Sequence, residues 1–149
     1  MHLVIYTDGG ARGNPGPAGI GVVVYKCRMQ NAECRMYRPR DLELIEKFGR
    51  YIGETTNNQA EYQALLAALK RARELGATTV DCMMDSELAV KQLNREYKVR
   101  DKNLASLFVQ VWNETLHFKQ IRFQHIPREK NKEADKMVNS AIDAHLFKA

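Results

Sequence analysis

Four carboxylates stand where a folded α/β chain could bring side chains to one place. Asp8 follows the apolar run Leu3-Val4-Ile5-Tyr6-Thr7, and Asp85 follows a second apolar run, Thr79–Met84. Glu61 falls at the start of one helical pattern, and Asp135 falls in the first turn of the last one. Strand ends and helix starts packed on one sheet can converge, whereas acids on distant faces cannot. Each acid also has an ordinary explanation. Asp8 could begin a turn, and Asn58-x-x-Glu61 fits a capping box worth ~1 kcal/mol. Asp85 fits an N-cap, and Asp135 suits the positive end of its helix. If the four converge, they repel one another unless protonated or neutralised by cations. Hard oxygen ligands without clustered His or Cys suit Mg²⁺ or Mn²⁺ rather than a closed zinc site. Two such ions about 3.5–4 Å apart, bridged by Asp8, activate water on one side of a phosphate and stabilise the leaving oxygen on the other.

The elements that must position these acids are legible in order. After the strand ending at Asp8, the segment GGARGNPGPAGIG is punctuated by glycines and stiffened by Pro15 and Pro17, and Val22-Val23-Val24 follows as a returning strand. Strand, glycine loop, strand is a hairpin. A dinucleotide fingerprint or Walker A loop needs a helix after the glycines, and the latter also needs Gly-Lys-Ser/Thr. Next, Lys26–Arg35 predicts a second turn near Gln30-Asn31. In Met36–Glu46 Pro39 breaks strand character, and Asp41–Ile45 reads as either a helical turn or an excursion. Phe48–Ile52, closed by Gly53, predicts the third strand.

Gln59–Leu75 is a helix with an alanine-rich inner stripe, stopped by Gly76. Thr79–Met84 is a fourth strand, and Asp85-Ser86 opens a short helix to about Leu93. Asn94–Asn103 is a basic linker and Leu104–His117 a helix whose apolar face includes Trp112, which reads as core. Gln120–Ile126 is a fifth strand ended by Pro127, and Lys132–Leu146 is the last helix. Strand–helix–strand order in this half implies parallel pairing and right-handed crossover.

With 149 residues and 44% hydrophobic content, residues 1–149 are expected to form one domain with a real core. No apolar stretch is long enough to span a membrane, and no signal peptide is recognised. Cys27, Cys34 and Cys82 lack zinc spacing. Buried thiols in a reducing cytoplasm are favoured over a Cys27–Cys34 disulfide. A net charge of +5, from 23 basic and 18 acidic side chains, permits a polyanionic partner.

Five pieces in order carry a resemblance to type 1 ribonuclease H: Tyr6-Thr7-Asp8-Gly9-Gly10, Gly13-Asn14-Pro15-Gly16, Thr55–Glu61, Asp85-Ser86 and Asn131–Asp135. The resemblance covers almost the whole chain. It implies an α/β fold with a mixed five-stranded sheet, three antiparallel N-terminal strands and then parallel strands, flanked by helices. It also implies metal-dependent endonucleolytic cleavage of RNA paired with DNA, leaving 3′-hydroxyl and 5′-phosphate ends. The family's catalytic and metal-holding carboxylates fall on Asp8, Glu61, Asp85 and Asp135, with two Mg²⁺ ions (or Mn²⁺) as cofactors.

Cutting only RNA requires sensing 2′-hydroxyls. The resemblance assigns hybrid recognition to the loops holding Gly10, Ala11, Arg12 and Asn14, and Asn57, Asn58 and Gln59. Ser86 either contacts phosphate or caps its helix. Lys91, Arg95, Lys98, Arg100 and Lys102 are candidate phosphate contacts, although a solvated surface explains each as well. The linker is too short for the basic projection of many bacterial members, which implies modest affinity for long hybrids. Some members place a mobile His before the last acid. His125 has superficially that spacing, but its strand run makes it a structural strand-end residue, and Glu129 is the candidate loop substitute. The expected partner is an RNA/DNA hybrid, with duplex RNA cut weakly at most and no membrane or obligate protein partner. Rival readings are a noncatalytic hybrid- or RNA-binding protein, a different phosphodiesterase on the same fold, and a purely structural domain.

Overall fold

The computed structural model describes residues 1–28 and 39–147. The turn expected near Gln30-Asn31, and Cys34, lie outside the described residues. Five strands form one sheet: β1 (His2–Ala11), β2 (Gly16–Cys27), β3 (Leu42–Thr55), β4 (Thr79–Met84) and β5 (Gln120–His125). Their spatial order is β3-β2-β1-β4-β5, with β1, β2 and β3 antiparallel and β4 and β5 parallel to β1. The helices are α1 (Asn57–Glu74), α2 (Glu87–Leu93), α3 (Lys102–Thr115) and α4 (Lys132–Leu146).

The central strand β1 is apolar on both sides because both faces of the sheet are covered. Leu3 and Ile5 join the main core with α1, α2 and α3, while Val4 faces a smaller cluster with Met83 and Ile126. In α1, Ala60, Ala64, Ala68 and Ala72 are completely buried, so the expected alanine stripe is the surface on which that helix meets the sheet. The opposite face receives α4 over β2 and β3. There Gly49 takes the place of a side chain: a Cβ on it would stand 2.5 Å from the carbonyl oxygen of Met137.

Several sequence expectations are corrected. The third strand runs over Leu42–Thr55 rather than Phe48–Ile52, preceded by a 3₁₀ turn at Pro39–Asp41. Its alternation is broken by two register shifts against β2, at Val24/Tyr25 and Ala18/Gly19. They leave Ile45 and Ile52 as extra residues, and such bulges twist an edge strand away from further pairing. Helix α3 begins at Lys102, because the Asp101 side chain caps it by accepting from Asn103 N (2.8 Å) and Leu104 N (3.2 Å). The basic linker is correspondingly shorter. Cys27 is disulfide-bonded, against the expectation of a buried thiol, which removes the redox argument for a reducing compartment. Cys82 is free and buried. Among the described residues no helix is long and apolar enough to cross a membrane.

Candidate active site

The parallel pairing of β1 with β4 ends at Thr7 and Met84, so Asp8 and Asp85 follow side by side. Asp85 lies just past β4, whereas β1 does not end at Asp8 as expected but continues to Ala11, paired with β2. The two helices bearing the other acids reach this point because glycines flank Asp8. A Cβ on Gly9 would stand 2.2 Å from the carbonyl carbon of Ala60 and 2.5 Å from Glu61 N. Gly21 is the cross-strand partner of Asp8, and a Cβ there would stand 2.0 Å from the carbonyl oxygen of Ala134. The first turns of α1 and α4 therefore sit on bare backbone beside Asp8, carrying Glu61 and Asp135 with them.

The local caps also release the acids. Thr56, not Asn58, caps α1, its hydroxyl oxygen accepting from Gln59 N (3.2 Å). The Asn58–Glu61 capping box is absent because the helix starts two residues earlier than expected. Ser86 caps α2 by accepting from Ala89 N (3.2 Å), so Asp85 is not the cap. Asn131 occupies the N-cap position of α4 without capping it. Its side chain, 1% exposed, instead donates from Nδ2 to the Thr7 carbonyl (2.8 Å) and to Asp85 Oδ2 (3.1 Å). It ties the middle of β1 and the residue after β4 to the start of α4, and orients Asp85.

Oxygens of Asp8, Glu61 and Asp85 all lie within 4.8 Å of one another. Asp135 lines the same cleft and acts electrostatically on Asp8, without belonging to that trio. The Asp8 carboxyl is pushed up to about 7, first by burial and then by the charges of Asp85 and Asp135. Burial, then Asp8 and Asp85, raise Glu61 well above the usual carboxylate range. Glu61 Oε2 is buried with no hydrogen-bond partner among the described residues. Crowded, partly unsatisfied, all-oxygen donors fit a hard divalent cation, which would neutralise the repulsion that raises both carboxyls. No His or Cys belongs to the trio, as the sequence led one to expect.

The cleft has a volume of about 540 Å³ and extends past the acids along the β1–β2 turn and α4. Of the expected recognition residues, Gly10, Ala11, Arg12, Asn57, Asn58 and Ser86 line it. Asn57 Oδ1 accepts from Ala11 N (2.8 Å), and Asn14 Oδ1 accepts from Asn57 N (3.1 Å). Because both carbonyl oxygens are held by backbone N–H groups, each amide keeps its NH₂ as a donor, although Asn14 and Gln59, unlike Asn57, do not line the cleft. Gln59 accepts from the Thr55 hydroxyl, which commits its oxygen in the same way.

Other expected residues are placed elsewhere. None of Lys91, Arg95, Lys98, Arg100 and Lys102 lines this cleft. Lys91 pairs with Glu87 (3.0 Å), and the Arg95 guanidinium lies 5.4 Å above the half-buried Trp112 ring. His125 is exposed at the end of β5, outside the cleft wall. Glu129 lines a separate pocket with Tyr6, Tyr25 and Leu42. Conversely, Arg128, Asn131 and Asn139 gain importance that the sequence reading did not give them. Arg128 and Asn139 line the acid cleft. Arg128 carries no signal within the polar run Arg128-Glu129-Lys130, whereas Asn131 opens the Asn131–Asp135 segment and reads there as loop.

A family model described as reverse transcriptase-like matches residues 6–141. The chain is 39% identical over 144 residues to the bifunctional protein Rv2228c of Mycobacterium tuberculosis, covering 97% of this chain and 36% of that protein. It thus spans about a third of the length of this mycobacterial relative. The solved N-terminal RNase H domain of Rv2228c superposes with a TM-score of 0.83 at 38% identity, covering 96% of this chain and 100% of that one. LC11-RNase H1, solved in complex with an RNA/DNA hybrid, gives a TM-score of 0.82 at 43% identity, covering 97% and 99%. With the fold, the acid trio and these relatives in agreement, the chain belongs to the type 1 ribonuclease H family.

Proposed function

We propose that this chain hydrolyses the RNA strand of RNA/DNA hybrids, leaving 3′-hydroxyl and 5′-phosphate ends, with two Mg²⁺ ions, or Mn²⁺ in their place. The observation that carries this reading is the trio of Asp8, Glu61 and Asp85 oxygens within 4.8 Å, in a cleft that Asn57 and Asn58 also line. A relative 43% identical to this chain was solved with an RNA/DNA hybrid bound, which supports the same substrate class here.

Asp8, Glu61, Asp85 and Asp135 would together hold the two cations. When bound, the ions supply an activated water and charge stabilisation for the leaving 3′ oxygen. Asn131 keeps one Asp85 oxygen turned into the cleft. The NH₂ groups of Asn14, Asn57 and Gln59 donate to acceptors on the substrate, including the 2′ oxygen that distinguishes RNA from DNA. Arg128, on the rim beside the acids, offers a guanidinium to a phosphate near the cut. No covalent intermediate on the enzyme is required.

The test is cleavage of matched RNA/DNA, RNA/RNA and DNA/DNA duplexes with Mg²⁺, Mn²⁺ or EDTA. The expected result is RNA-strand cutting in the hybrid, weak cutting of duplex RNA at most, and none in EDTA. Asp8→Asn should lower kcat by roughly a thousandfold or more, because it removes a group that organises charge stabilisation in the transition state. Robust cutting in EDTA would overturn the reading.

A further inference from the structure

Arg12 sits in the wall of the acid cleft, yet its charge is already engaged. Its Nη1 lies 2.6 Å from Asp143 Oδ1, and its Nη2 reaches the backbone and side-chain oxygens of Asn139 at 3.5 and 3.4 Å. Asp135, Asn139 and Asp143 recur at helical spacing along one side of α4, and Asn139 Nδ2 donates to the Asp135 carbonyl (3.1 Å). Asp143 is therefore roughly 12 Å along the helix axis from the metal-facing acid, at about 1.5 Å per residue. Arg12 and Arg128 are the two cations lining this cleft among the described residues.

We propose that Asp143 is a specificity-determining residue: it holds the Arg12 guanidinium in the free protein and gives it up to a backbone phosphate of the hybrid. The inference rests on reading the cleft as a nucleic-acid channel. Both partners are partly exposed, with side chains 37% and 50% accessible, so the pair is weak and readily exchanged. A phosphate offers the same guanidinium a bidentate, charge-assisted partner. The exchange needs the duplex backbone to come close to the β1–β2 turn, which the Asn14 and Asn57 donors favour for RNA-containing duplexes. A DNA duplex lacks those 2′ oxygens and docks less closely, so Arg12 stays on Asp143 and contributes nothing to binding it. Asp143 thus suppresses the indiscriminate attraction that an unpaired arginine beside the cleft would exert on any polyanion.

The test is equilibrium binding of fluorescent RNA/DNA hybrid and DNA duplex of one sequence, in EDTA so that neither is cut, over a series of salt concentrations. Asp143→Asn should tighten DNA binding by roughly twofold to fivefold, the range set by breaking one exposed ion pair, with a smaller gain for the hybrid. It should also steepen the salt dependence for DNA by about 0.9, the value for one added phosphate contact. Arg12→Ala should weaken hybrid binding and flatten its salt dependence by the same amount. On the Arg12→Ala background, Asp143→Asn should change neither. If its effect persists there, Asp143 acts only as a repelling charge and the proposal fails. It fails equally if Arg12→Ala leaves the hybrid's salt dependence unchanged. Cleavage in Mg²⁺, assayed separately on the parent, bears on the proposed activity and leaves this binding comparison intact.

Discussion

Asp81 and Asp8 are both buried carboxylates on the central strands, and the protein treats them in opposite ways. Asp81, 0% exposed, is gripped by Arg122 through Nε (2.6 Å) and Nη2 (3.0 Å) and by His2 Nε2 (2.6 Å). Asp8, 7% exposed, has acids for neighbours and no ion-pair partner among the described residues. Removing a carboxylate from water costs several kcal/mol, offset at Asp81 by a forked, charge-assisted contact. At Asp8 no cation among the described residues offsets it, a hydrogen bond with Glu61 compensates only in part, and the carboxyl's affinity for a proton rises instead. One end of the strand pair is neutralised from within. The other is arranged for a positive charge that arrives from outside. Burial alone separates nothing; the identity of the neighbours does.

The sharpest way to break this contrast is to remove each acid and measure unfolding. Asp81→Ala should destabilise the fold by about 3–5 kcal/mol in denaturant, as expected when one partner of a buried ion pair is lost. In the metal-free protein Asp8→Asn should leave stability unchanged or raise it, since it removes a repelled charge. The opposite ranking would mean that the acid cluster is structural.

A smaller effect should follow pH. Because the Asp8 carboxyl is raised from 3.8 to about 7, it holds its proton more tightly folded than unfolded. It therefore stabilises the fold fully below about pH 4, and that contribution disappears as pH climbs through about 7. Glu61 shifts in the same direction and adds to the trend. Tm of the metal-free protein should fall over this window, Mg²⁺ should restore it near pH 8, and Glu61→Gln should flatten the profile. A flat profile in the parent would remove the electrostatic distinction between the two ends. The smallest effect belongs to His125→Ala. A proton-transfer role would cost roughly a hundredfold or more in kcat, and its exposed position outside the cleft predicts kcat within about twofold of the parent.

The fold could be read from the chain where periodicity was unbroken. The Ala60–Ala72 stripe, the apolar β1 and the turn at Gly76 all produced the elements they signalled. Expectation failed where a local exception overrode the pattern. Ile45 and Ile52 interrupt the alternation of β3, so only its middle looked like a strand. Thr56 and Asp101 each cap a helix earlier than the first apolar repeat suggested. The four acids were visible by type and spacing; Asp8 and Asp85 meet through the parallel pairing of β1 with β4, and Glu61 and Asp135 join them because α1 and α4 rest on Gly9 and Gly21. Arg128 and the Arg12–Asp143 contact were not legible, because charged side chains on a loop and a helix surface leave no periodic trace. Asn131 was hidden for another reason: an Asn in a polar stretch before a helix reads as loop, and only the fold reveals that its amide is spent on Thr7 and Asp85.

Gly9 and Gly21 give the molecule a peculiar tolerance. Where helices rest on a sheet through interlocking side chains, an exchanged aliphatic group can be absorbed by rotamer changes nearby. At these two places main chain touches main chain, so there is nothing between them to readjust. The distances among the acids are insulated from drift in the hydrophobic interior, much as a machined shoulder fixes two parts whatever fills the housing. The same arrangement concentrates fragility, since one added methyl group at either glycine is transmitted undamped to a helix that carries an acid.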